Sequence, residues 1–143
     1  MDRIAEALPL DRPIACHDDL LPGNVPAADA RPDDAVLVDW EYAGMGHLIF
    51  DLGNLAVNNE FDEPAEERLL TAYYGGEPTA ARRAALKLMR LMSDAREAAW
   101  GVVQGAISEL EFDFAAYAGQ HFSRLADAAR DPRLEQWLRG ATA

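Results

Sequence analysis

The sequence is poor in cysteine, histidine and lysine. A single cysteine, Cys16, excludes an internal disulfide framework and suits a reducing cytoplasm. With three histidines beside it, the chain has too few ligands for a zinc cluster of ordinary spacing. Lys87 is the sole lysine, and 13 Lys plus Arg against 25 Asp plus Glu leave a net charge of −12. That balance argues against nucleic acid as a partner, because phosphate backbones are bound by clustered cations. The acid serves solubility, or it draws in a cationic substrate or a divalent metal. No apolar run is long enough to span a membrane, and Met1 to Leu10 lacks the basic start of a signal peptide.

What is present fits one folded domain: 143 residues, half of them hydrophobic. Residues 2–8 read as a short helix stopped by Pro9, and residues 13–17 as a strand. A polar loop follows over 25–34. The β-favouring run "AVLVDW" at 35–40 predicts a second strand, pairing with the first in a hairpin that brings His17 and Asp39 near the strand ends. From Pro64 onward the pattern is helical. Apolar residues at 85, 86, 89, 92, 99, 103, 106, 107 and 110 predict a long buried helix over 79–108, with Gly101 or Gly105 as the place for a kink. Further helices are expected over 112–129 and 132–138. The class is mainly α with a small β-hairpin (α+β).

Chemistry concentrates in "CHDDLLPGN" and in the acid that ends "AVLVD". Asp19 and Asn24 flank a Pro-Gly turn, and Asp39 closes the next strand. Two acids and an amide on neighbouring strand-end loops suit phosphoryl transfer. One carboxylate takes the proton of an attacking hydroxyl, and the amide oxygen and second carboxylate hold Mg²⁺, which prefers oxygen ligands.

"HDDLLPGN" followed by "LVDWEYAGMGHLIFDLGNLAVNN" resembles the catalytic and metal loops of the choline kinase and aminoglycoside phosphotransferase superfamily. "AAWGVVQGAISELEFDFAAYAGQHF" is similar to the last helices of its choline and ethanolamine kinase branch. The resemblance spans about residues 10–130. It implies the C-terminal lobe of a protein-kinase-like fold, with a catalytic loop at about 13–25, a metal loop at about 35–54 and a helical region at about 62–139. It implies ATP as phosphate donor, Mg²⁺, and a small cationic hydroxylated acceptor such as choline, in a cytoplasmic enzyme without nucleic-acid or membrane partners. By position, Asp19 is the expected catalytic base, Asn24 and Asp39 the metal ligands, and His17 and Asp51 supports of the catalytic loop. Glu41, Tyr42 and Trp100 are expected at the acceptor site. Asp18 departs from the branch, which often has asparagine there, and Val103 stands where some relatives carry another aromatic.

Simpler readings stand beside these. His17 and Asp51 also read as a hydrogen-bonded structural histidine and a helix cap, Trp100 as core, Glu41 as a solvated acid and Tyr42 as a packing aromatic. His47 and His121 read as surface or packing residues. The phosphate-covering glycine loop and the strand lysine of the N-terminal lobe have no counterpart, since "GMG" at 44–46 lacks the third glycine and Lys87 lies in a helical segment. The chain therefore reads as one lobe, with a missing N-lobe partner or a homodimer covering its exposed face. Alternatives are a non-catalytic binding or assembly module, an aminoglycoside-type phosphotransferase, and a metal-dependent phosphohydrolase built on the His-Asp pair.

Overall fold

Helix starts are set by short polar side chains that satisfy otherwise orphaned backbone donors. Asp62 accepts the Ala65 N–H at the start of α3 (Glu63–Tyr74). Thr79 does the same for Arg82 at α4 (Ala80–Ile107), and Asp113 for Ala116 at α5 (Phe114–Ala129). Gly75 ends α3 with φ of 70°, the left-handed stop that glycine adopts without steric cost. These helices belong to a computed structural model that describes residues 1–8, 12–27 and 35–141. The other elements are α1 (Asp2–Ala7), β1 (Ile14–Cys16), a 3₁₀ turn (Pro22–Asn24), β2 (Gly44–Gly46), α2 (Phe50–Asn58) and α6 (Leu134–Gly140). The stop at Pro9 and most of the 25–34 loop lie outside the described residues.

α4 is the axis of the fold, packing against α2, α5 and α6. Its residues Ala85, Leu86, Leu88, Met89 and Leu91 enter one apolar core with Ile4 and Leu8, with Ile49, Leu52 and Ala56 around α2, and with Leu70 of α3. Burying a side chain such as Leu88 contributes about 1.5–3 kcal/mol. Two glycines set the spacing. A Cβ at Gly53 would lie 2.9 Å from the backbone of Met89, and one at Gly101 would lie 3.0 Å from Ala118 Cβ. α2 and α5 therefore approach α4 nearly backbone to backbone. Helical backbone runs without a break through Gly101 and Gly105, so Gly101 serves close packing rather than a break.

Two expectations are corrected. The apolar residues of α4 are not buried to its end: Val103 and Ile107 are exposed, as is Leu110 beyond it. The N-terminal part of α4 is enclosed by several helices. Residues 35–40 are not a strand; β1 pairs instead with β2, antiparallel, in the register Ile14↔Gly46, Ala15↔Met45 and Cys16↔Gly44. The physical reason is Asp39, whose φ of 65° breaks the extended backbone. His121 proves to be a packing residue, buried between α4 and α5, with Nδ1 2.8 Å from Asp94 Oδ1 and Arg124 joining the same carboxylate at 3.0 Å.

Candidate active site

After β1 the chain turns at Asp18, which takes φ of 64°. Such a turn points successive N–H groups in one direction, and α2 supplies their acceptors. Asp51, in the first turn of α2, accepts the His17 N–H on Oδ2 at 2.8 Å and the Asp18 N–H on Oδ1 at 2.9 Å. Asn54 lies three residues on, on the same helix face. It is fully buried and accepts the Leu20 N–H at 2.5 Å, while its Nδ2 donates to Ser93 Oγ at 3.0 Å and Glu97 Oε1 at 3.1 Å. Asn59 donates back to the Leu20 carbonyl at 3.4 Å. The loop from 17 to 20 is thus fixed to α2, and through Asn54 to α4.

Asn24 donates its Nδ2 to both the backbone oxygen and the Oδ2 of Asp19, each at 2.9 Å. With its nitrogen engaged, its amide oxygen is the atom suited to a cation. The 35–43 segment is joined to this loop at Val38. The Val38 N–H donates to the Asn24 carbonyl at 3.1 Å, and the Val38 carbonyl meets His17 Nε2 at 2.8 Å. The buried His17 ring also lies 4.5 Å from that of Trp40. Asp39, between Val38 and Trp40, is exposed.

Asp19, Glu41, Tyr42 and Trp100 line one small cavity of about 110 Å³, together with Arg96, Glu97 and Tyr117. Trp100 Nε1 donates to the Tyr42 hydroxyl at 3.3 Å. A larger cavity of about 630 Å³, lined by Asp18 among others, shares Tyr42 and Arg96 with it, so Arg96 stands between the two. Burial, then the charge of Glu97, raise the pKa of Asp19 above the ordinary 3.8, against the opposing pull of Arg96, of the Asn24 hydrogen bond and of His17. Burial and then Asp51 raise Asp18 likewise. Burial and the hydrogen bond to Glu97 push the Tyr117 hydroxyl well above its usual value. Among the described residues Cys16, Asp18 and Asp51 also converge, with ligand atoms within 4.8 Å of one another. They suit a metal poorly: Asp51 already serves two backbone donors, and burial, then Asp51 and Asp18, push the Cys16 thiol up to about 11.

Four residues of this arrangement escape the sequence reading: Asn54, Arg96, Glu97 and the hydroxyl of Tyr117. Two signals for them exist. Asn54 follows Asp51 at i+3 in "FDLGN", and Glu97 falls in phase with Leu86, Met89 and Ser93 on the buried stripe of α4, where a charge requires partners.

Residues 1–88 match the model of the phosphotransferase enzyme family. A probable choline kinase 1 of Arabidopsis thaliana is 26% identical over 76% of this chain and 38% of its own length. An ethanolamine kinase 2 of Rattus norvegicus is 33% identical over 80% of this chain and 34% of its own. The crystal structure of a choline/ethanolamine kinase family protein from Mesorhizobium loti superposes with a TM-score of 0.86 at 33% identity, over 99% of this chain and 46% of that one. The chain spans less than half the length of these relatives. The helical fold with its two-stranded antiparallel sheet is thus that of a kinase-like C-terminal lobe, and the chain belongs to the phosphotransferase enzyme family.

Proposed function

We propose that this chain carries the catalytic loop and acceptor site of an enzyme that transfers the γ-phosphate of ATP to the hydroxyl of a small amino alcohol. The observation that carries the reading is the shared cavity: Asp19 lines the same about 110 Å³ space as Glu41, Tyr42 and Trp100. Asp19 accepts the hydroxyl proton as the oxygen attacks, with Asn24 holding its carboxylate in place. Aromatic faces and acids around it favour a small cation, and the size of the cavity favours an amino alcohol over an aminoglycoside.

The residues present also fit a divalent ion. Oxygen donors from Asn24 and Asp39 come from segments tied together through the Val38 N–H, and hard cations take such oxygens. Mg²⁺ held by Asn24 and Asp39 would offset the negative charge of the nucleotide phosphates. The lysine that pairs with those phosphates is proposed to come from a separate N-terminal lobe. Lys87 is engaged elsewhere, with Nζ 2.6 Å from Glu66 on α3.

The test is an ADP-release assay on the full-length gene product with Mg²⁺-ATP and an amino alcohol. Asp19→Asn is expected to lower kcat by about 10²–10⁴ with nucleotide affinity unchanged. Unchanged turnover would remove Asp19 from the chemistry.

A further inference from the structure

We propose that Glu97 makes the acceptor site selective for an ammonium that carries N–H bonds, a primary amino alcohol over its N-methylated and quaternary counterparts. This rests on the phosphotransferase reading above.

Glu97 is a charged side chain only 3% exposed, on the stripe of α4 that faces the core, and it lines the acceptor cavity. A carboxylate in such a place is held by partners. Oε1 accepts from Arg96 at 2.8 Å and Asn54 at 3.1 Å. Oε2 accepts from the Tyr117 hydroxyl at 2.7 Å and from no other donor among the described residues. A carboxylate oxygen has two acceptor sites, so Oε2 keeps capacity for one more N–H. Its charge is felt at the reacting end of the cavity, being the second cause of the raised Asp19 pKa. A short amino alcohol with its hydroxyl at Asp19 can therefore place its ammonium against Glu97.

The walls carry three carboxylates (Asp19, Glu41 and Glu97) against one guanidinium (Arg96), which favours a cation of either kind. What separates the two kinds is hydrogen bonding. A primary ammonium donates a short, charge-assisted bond to Oε2. A quaternary ammonium has no N–H, holds its charge further away behind methyl groups, and leaves Oε2 without that bond. Aromatic faces would favour the quaternary ion. Here those rings are largely turned on one another: Trp100 packs edge-on at 5.6 Å from Tyr117 and 5.8 Å from Phe114, and its N–H is directed to Tyr42. A cavity of about 110 Å³ adds a size penalty for each methyl group.

The experiment is initial-rate kinetics of the full-length gene product with saturating Mg²⁺-ATP and four acceptors: ethanolamine, its N-methyl and N,N-dimethyl derivatives, and choline. The expected result is a stepwise fall in kcat/KM with methylation, totalling about tenfold or more. Glu97→Gln keeps the shape and removes the charge, and should act mainly on ethanolamine, narrowing the gap to roughly threefold or less. Choline turned over as well as ethanolamine by the parent enzyme would overturn the inference and leave the phosphotransferase reading standing. So would an unchanged gap in a folded Glu97→Gln protein. Phosphorylation of none of the four would overturn the reading itself, and the inference with it. The methylation series on the parent decides the selectivity even if Glu97→Gln fails to fold, and Tyr117→Phe, which frees Oε2 of its one other donor, should then widen the gap if Glu97 is its source.

Discussion

Residues 17–24 and residues 35–43 lie side by side, yet they are held by different means. In the first, backbone donors end on side chains of α2, the half-buried Asp51 serving residues 17 and 18 and the buried Asn54 serving residue 20. In the second, the ties are mainly between main chains, from Val36 to Pro26 and from Val38 to Asn24, while Val36, Val38 and Trp40 remain exposed. A loop fixed by buried polar groups is rigid, because losing any one partner strands a desolvated donor. A loop fixed along its backbone tolerates changes of side chain. The contrast matches the proposed roles: a base positions a reacting proton within tenths of an ångström, whereas an ion ligand adapts to the ion.

Substitutions can break or sharpen this contrast. Asp51→Ala should be the most damaging to stability, since two N–H groups lose their acceptor, and each such loss costs about 1–3 kcal/mol. Urea denaturation should show a fall in midpoint of matching size; a midpoint equal to the parent's would mean the loop is not held by α2. Gly53→Ala comes next. The added methyl meets the Met89 backbone and drives α2 from α4, at a cost of about 1–3 kcal/mol. Asp39→Asn should be nearly silent in the same assay, within about 0.5 kcal/mol, because the site is exposed and asparagine tolerates the left-handed backbone. Its effect belongs in Mg²⁺-dependent nucleotide binding, measured by calorimetry, and a large stability loss instead would erase the contrast. The smallest effect is that of pH at Asp19. Because folding raises its pKa, its ionisation lowers stability above the folded pKa and has no such effect below the unfolded value near 3.8. Asp19→Asn should therefore melt slightly higher than the parent at neutral pH, with the advantage shrinking as pH falls toward 3.8. An advantage independent of pH would assign it to something other than charge.

What the sequence discloses depends on how local the cause is. The helices of the second half are legible because Asp62, Thr79, Asp113 and Gly75 act within one turn of themselves. The short span from His17 to Asn24 is legible for the same reason. The partner of β1 is not, because a β-favouring run at 35–40 says nothing of the left-handed turn at Asp39 that interrupts it. Glu97 and Asn54 stand 43 positions apart and acquire their meaning only when α2 lies on α4. The ring of Tyr117 packs against Trp100 as any aromatic would; its hydroxyl takes on a role because a carboxylate from another helix is waiting for it.

The attachment of α3 has a consequence for local motion. Of its residues only Glu66 and Leu70 are buried, Leu69 and Tyr74 pack partly buried against the core, and much of the remaining hold is ionic: Glu67 with Arg83, Glu66 with Lys87 and Arg90, and Glu63 with Arg133. A helix docked largely by charge, with a single fully buried apolar side chain, should open without the rest of the molecule unfolding. Its backbone amides should exchange with deuterium sooner than those of α4. Because exposed charges are screened beyond about 8 Å at physiological ionic strength, added salt should hasten that exchange further in α3 while leaving α4 unchanged. One helix of this lobe would then answer to ionic strength while its neighbour does not.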